Sequence, residues 1–181
     1  MKREYVEEIE IPSGIECEIK DRIIRFKKDS VQLEKKLSFL RTKAYIKDNK
    51  IVFECKSGNK KDYAIIKSYI AHIKNLFRGL NEKYVYTLEA VFVHFPMTLK
   101  VEGRKLIINN FLGEKTPRYA EILPNVDVEI KGQKITISSH DKEAAGQTAA
   151  NFERATKIRN KDRRIFQDGI FIVSKPEGVK K

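Results

Sequence analysis

Residues 154–164, RATKIRNKDRR, carry six basic side chains (Arg154, Lys157, Arg159, Lys161, Arg163 and Arg164) against one acid, Asp162, a net +5 within eleven residues. Fixed cations at this density repel one another, and the chemistry that suits them is charge-assisted hydrogen bonding to phosphate oxygens. The flanks are close to neutral: residues 82–153 hold nine Lys/Arg and ten Asp/Glu, and residues 165–181 hold three and two. Hydrolytic chemistry has a weaker case. Glu153, Asp162 and Asp168 are carboxylates of the kind that hold Mg²⁺ for phosphodiester cleavage, but Asp162 reads more simply as a local partner of the arginines and Asp168 as a turn residue before Gly169. His72, His94 and His140 lie far apart, with no Cys or acid at a zinc-ligand spacing, and read as ordinary surface or half-buried histidines. Gly113-Glu114-Lys115-Thr116 has the ending of a phosphate-binding loop, yet Ile108 stands where that motif needs its first glycine. No catalytic residue, metal site or cofactor is expected.

The bulk composition points the same way. The chain has 37 Lys/Arg against 25 Asp/Glu, a net charge of +12, which favours a polyanionic partner over a neutral small substrate. The opening MKREYVEEIE lacks the apolar centre of a signal peptide, and no apolar run approaches the ~18 residues that span a bilayer. Cys17 and Cys55 form no C-x-x-C and read as reduced, buried, small apolar residues. The aromatic motif of single-strand RNA readers is missing, so the basic run suits phosphate and ribose contacts on structured RNA.

The elements that must position the basic run come from apolar periodicity. Tyr5, Ile9 and Ile11 alternate as a strand ending at Pro12. Ile15, Cys17 and Ile19 pair with residues 23–26 as a hairpin, and residues 44–46 and 51–55 form another around Asp48-Asn49. Residues 27–43 read as loop. From Asp62 the period becomes 3.6, with Ile65, Ile66, Tyr69, Ile70, Ile73, Leu76 and Phe77 on one helical face and Gly79 as its stop. The second half repeats the first at an offset of 84: Ile11-Pro12 falls on Phe95-Pro96, residues 46–51 on 130–135, and the helix on a run holding Ala145, Thr148, Ala149, Phe152 and Ala155. The expected fold is α+β: two duplicated domains, residues 1–81 and 82–181, each an antiparallel sheet packed by a helix. Only the second follows its helix with a basic loop, anchored by the β-formers Ile170, Phe171, Ile172 and Val173 after a turn at Asp168-Gly169. The first half holds fourteen basic and five acidic residues over positions 20–61, a spread that reads as solvated surface.

The runs Ala145-Gly146-Gln147-Thr148-Ala149-Ala150 and Lys157-Ile158-Arg159-Asn160-Lys161-Asp162-Arg163-Arg164-Ile165-Phe166-Gln167-Asp168-Gly169-Ile170, with Ala90-Val91-Phe92-Val93-His94-Phe95-Pro96 and Ile9-Glu10-Ile11-Pro12, resemble ribosomal protein six of the large subunit in its archaeal and eukaryotic branch. Position 171 is Phe where that family usually has Tyr. The resemblance implies a structural constituent of the large ribosomal subunit, not an enzyme, that needs no cofactor, is cytoplasmic and ribosome-bound, and has no membrane or small-molecule partner. It implies binding to large-subunit rRNA through the C-terminal domain, near the sarcin-ricin loop and the base of the factor-binding stalk, beside neighbouring ribosomal proteins. Carried over by position, the rRNA contacts are the basic residues from Lys157 to Arg164, with Lys175 and the terminal lysines as outlying members; charge alone adds Arg154. The first half is then expected to supply shape and protein contacts. The competing readings are a metal-dependent nucleic-acid enzyme using Glu153, Asp162 and Asp168, and a free RNA-binding regulator.

Overall fold

In the opening stretch REYVEEIE the odd positions Tyr5, Glu7 and Ile9 turn toward the interior, and β1 (Arg3–Glu10) carries that alternation with Ile9 buried. The computed structural model describes residues 3–39 and 41–176, and the chain divides into two units, Met1–Glu82 and Lys83–Lys181. After β1 the first unit has β2 (Glu16–Lys20), β3 (Ile23–Lys28), β4 (Val31–Lys36), β5 (Lys43–Lys47), β6 (Lys50–Gly58) and α1 (Lys60–Asn81). The second has β7 (Tyr84–Val91), β8 (Thr98–Glu102), β9 (Lys105–Asn109), a single 3-10 turn, β10 (Arg118–Glu121), β11 (Asp127–Lys131), β12 (Lys134–Ser139), α2 (Lys142–Ala155) and β13 (Gly169–Ser174). The α+β, antiparallel, duplicated architecture is the one expected, but each unit holds two sheets where one was anticipated. Their strand orders are β1-β6-β5 and β2-β3-β4 in the first unit, and β11-β12-β7-β13 and β10-β9-β8 in the second. No helix among the described residues is long and apolar enough to cross a membrane.

Each unit closes its own core. Ile24, Phe26, Ile51, Phe53, Ile66 and Ile73 are fully buried in the first, with Phe26 edge-on to Phe77 at 5.1 Å. The second is built on Leu88, Leu106, Ile108, Ile135, Ile137 and Phe152. Helix α1 begins in a reciprocal cap: the Asn59 side chain accepts from the N–H groups of Lys61 and Asp62, and Asp62 accepts from the Asn59 N–H at 2.8 Å. Gly79 does not stop the helix. It is buried within the last turn, which runs on to Asn81 because Leu80 is held in the core. Ile65, expected on the apolar face, points outward instead.

Two further differences from the sequence reading have a clear physical origin. Strand β4 occupies part of the stretch read as loop, because VQLEKK puts only Val31 and Leu33 on its inner face before Lys35 breaks the apolar pattern. With β4 on β3, and β10 on β9, the expected β2–β3 hairpin and its counterpart β8–β9 are each a three-stranded meander. The duplication, real in element order, does not keep one register. The offset of 84 holds for β5–β6 against β11–β12, where the pair Ile46 and Ile51 answers to Ile130 and Ile135. It is 82 for β2–β3, since Lys20 opposite Ile23 answers to Glu102 opposite Lys105. It is 79 for the first strands, since Glu10 opposite Lys50 answers to Glu89 opposite Lys134. Ile11 therefore corresponds to Ala90, not Phe95: their N–H groups donate to the Asn49 and Gln133 carbonyls in the same place. Exposed turns absorb such length changes without disturbing the ladders.

The repeats part company after the helix. Helix α1 has 22 residues and α2 has 14, so the second repeat leaves its helix early, runs through residues 156–168 and returns as β13 on the outer edge of β7. The equivalent edge of β1 carries no strand among the described residues.

Candidate nucleic-acid interface

The basic segment is rooted at the end of α2. That helix lies close on β7: a Cβ at Gly146 would stand 2.9 Å from the Tyr86 hydroxyl oxygen, so the small residues of α2 serve packing within the unit. Asp141 caps the helix by accepting from the Glu143 N–H at 2.8 Å. After Ala155 the helix stops at Thr156, which is buried. The Thr156 hydroxyl turns back to the Phe152 and Glu153 carbonyls and accepts the Ile170 N–H at 2.9 Å, joining the two ends of the segment.

Two further anchors hold the segment, and neither was visible in sequence. Asp168 is buried and does not form the expected turn with Gly169, which is already in β13. Its carboxylate accepts from the Val93 N–H at 3.2 Å and the His94 N–H at 3.4 Å, and lies 3.1 Å from His94 Nδ1. Burial pushes the Asp168 carboxyl up, but the His94 ring and the two backbone N–H groups outweigh it and leave the group below its usual value. The His94 ring stacks on Phe166 at 5.0 Å, and Lys161 lies over the other partner in that stack, 4.6 Å from the Phe166 centroid. On the other side, Arg118 of β10 donates to the Ala155 carbonyl at 2.9 Å and the Lys157 carbonyl at 3.4 Å. The same guanidinium grips Glu114 with both arms, at 2.7 and 2.5 Å, and rests 4.3 Å above the Phe111 ring. Hydrogen bonding to Arg118 holds the Glu114 carboxyl below its usual value.

On this frame Arg154, Lys157, Arg159, Lys161, Arg163 and Arg164 are all exposed, as is Lys175 beyond β13. Among the described residues their only ion pair is a loose one, Arg164 Nε to Asp162 Oδ1 at 3.7 Å, with the arginine side chain 92% exposed. Asp162 instead shapes the loop: its side chain accepts the Arg164 N–H at 2.9 Å, and its carbonyl accepts from Ile165 and Phe166. Arg154, Lys157 and Arg163 line a shallow groove of about 890 Å³ together with Val91, Val93 and Phe171. Glu153, Asp162 and Asp168 do not assemble a cation site: no group of three His, Cys, Asp or Glu side chains able to hold a metal occurs among the described residues. The terminal lysines lie outside the described residues.

Arg118, Glu114, His94 and Thr156 are the positioning residues that sequence reasoning missed. His94 was read as ordinary because its partner is 74 positions away, and Arg118 because its acceptors are backbone carbonyls, which leave no mark in sequence.

Comparison with known proteins fits this geometry. A family model described as Ribosomal protein L6 matches residues 95–169, which include the whole of α2 and the basic loop. Over 175 residues, 97% of this chain and 99% of theirs, the chain is 39% identical to the large ribosomal subunit protein uL6 of Methanosarcina mazei and 40% identical to that of Methanothrix thermoacetophila. The chain therefore belongs to the L6 family, in its archaeal and eukaryotic branch, and is a structural protein of the large ribosomal subunit, not an enzyme.

Proposed function

We propose that the chain binds large-subunit rRNA through residues 154–164 of its second unit, with Arg154, Lys157, Arg159, Lys161, Arg163 and Arg164 as the phosphate contacts and Lys175 as an outlying one. The observation that carries this reading is that six cations, exposed and almost free of internal ion pairs, are displayed on a loop tied down at both ends and along its length. A structural use of these charges would pair them with acids of the same unit; an RNA backbone supplies the missing anions. Membership of the family supports a position near the sarcin-ricin loop and the base of the factor-binding stalk, beside other ribosomal proteins, and a ribosome-bound, cytoplasmic role. The groove beside Arg154 and Arg163, lined by polar and apolar groups together, gives ribose faces a surface to rest on.

Neutralising about four to six phosphates gives a slope of log affinity against log salt of roughly −3 to −5. Replacing Arg159, Arg163 and Arg164 with alanine should flatten that slope by about 2 to 3 and weaken binding to a large-subunit rRNA transcript tenfold or more at ~150 mM salt. The circular dichroism of the variant should match the parent. Unchanged affinity and slope would defeat the reading.

A further inference from the structure

Six basic residues of the first unit, scattered in sequence, come together in space. β6 ends at one corner of its sheet, and the chain turns there directly into α1. Arg3 of β1 lies opposite Gly58 at that corner, and Lys43 of β5 lies opposite Glu54. Arg3, Lys60 and Lys61 line a shallow groove of about 710 Å³ beside Tyr5 and Asn59. Arg41, Lys43 and Lys56 line another of about 270 Å³ beside Glu54 and Ser57. All six cations are exposed. Of these six, only Lys56 has an ion pair among the described residues, 3.7 Å from Glu54, and Asp62 is already engaged with the Asn59 N–H.

Comparison of the two repeats sharpens the point. At the matching corner of the second unit the charges nearly cancel: Asp127, Asp141 and Glu143 lie among Lys83 and Lys142, with Lys83 and Asp127 paired at 2.7 Å. One fold thus carries its unpaired cations beside the start of the helix in the first copy and beyond the end of the helix in the second. Lys60 and Lys61 also stand in the first turn of α1, where the helix macrodipole disfavours positive charge. The helix gains nothing from them there, whereas an external anion would.

We propose that this corner of the first unit is a second binding surface for the sugar-phosphate backbone of folded RNA. The ligand class rests on the RNA-binding reading above, but the residues are independent of the loop at 154–164. The inference goes beyond the expectation that the first half supplies mainly shape and protein contacts. RNA fits better than an acidic protein segment because the two grooves offer a peptide a single aromatic anchor, Tyr5, whose ring is already stacked on Tyr63 at 4.8 Å.

The full-length chain is titrated against an in vitro transcript of large-subunit rRNA across about 50–300 mM KCl. The Lys60→Ala/Lys61→Ala pair should bind roughly three- to tenfold more weakly, with a slope shallower by about 1 to 2, while its thermal midpoint stays the same or rises. Weaker binding in a protein of equal or greater stability is a pattern that a purely structural role cannot give. Adding Arg41→Ala and Lys43→Ala should deepen the loss, and Lys60→Arg/Lys61→Arg should restore it. Parental affinity and slope in both the pair and the fourfold variant would overturn the proposal. So would poly-glutamate competing as well as RNA, since that would mark an acidic-protein surface. Parental binding in the loop variant beside weakened binding in the pair would instead sink the loop reading and leave this one standing.

Discussion

Asp168 is the residue on which the geometry of the second unit's loop turns. A carboxylate buried among two backbone N–H groups and an imidazole is stabilised by its partners only while ionised. Because its folded value lies below the usual one, its contribution is fully present above the unfolded pKa of about 3.9 and is lost as pH falls through the lower folded value. Asp168→Asn keeps the shape but weakens these bonds. Urea unfolding at neutral pH should report a loss of about 1–3 kcal/mol, and the difference from the parent should shrink as pH drops below about 4. Arg118 makes a different case, because its worth lies in direction more than charge. A lysine there keeps the charge but loses the planar fork that joins Glu114 to the carbonyls of Ala155 and Lys157. Arg118→Lys should leave global stability within about 1 kcal/mol, since Arg118 and Glu114 are both partly exposed. Amide hydrogen exchange over residues 156–167 should nevertheless quicken, and rRNA affinity should fall a fewfold; unchanged exchange there would show that the fork does not hold the loop.

Among the elements, α2 shows what a run of small residues permits, a close approach of the helix to its sheet. Gly146 faces Tyr86 with no room for a methyl group, so Gly146→Ala should destabilise the second unit by about 1–3 kcal/mol through overpacking. The double variant Gly146→Ala/Tyr86→Phe should recover part of that loss, as seen in the denaturation midpoint; no recovery would locate the strain elsewhere. Apolar spacing identified α1 and α2 because a buried helical face repeats over many residues. It missed β4 and β10, which are short and carry Lys or Arg at inward positions. β4 adheres through its ladder to β3 and through Leu33, and a strand held mainly by its backbone has little side-chain signature. Gly79 misled for a related reason: glycine ends a helix only when the chain must leave there, and buried Leu80 keeps it in place.

For the molecule as a whole, the duplication was legible because both copies follow one order of elements, and its register was not, because turns of different length shift each hairpin separately. The basic loop stood out because its cations are adjacent in sequence. The corner of the first unit did not, because Arg3, Arg41, Lys43 and Lys61 reach one place only when β1, β5 and β6 pair. Local charge density can be counted along a chain, whereas charge gathered by strand pairing requires the topology.

The hydrogen bond from the Ile170 amide to Thr156 has a kinetic consequence. With its stems stitched together, the loop meets its target already shaped, so little ordering entropy remains to be lost on docking. Arrival should then proceed at a speed set by the long-range field and by ionic strength, without a slow folding phase, and differences among loop variants should show mainly in how long the complex lasts.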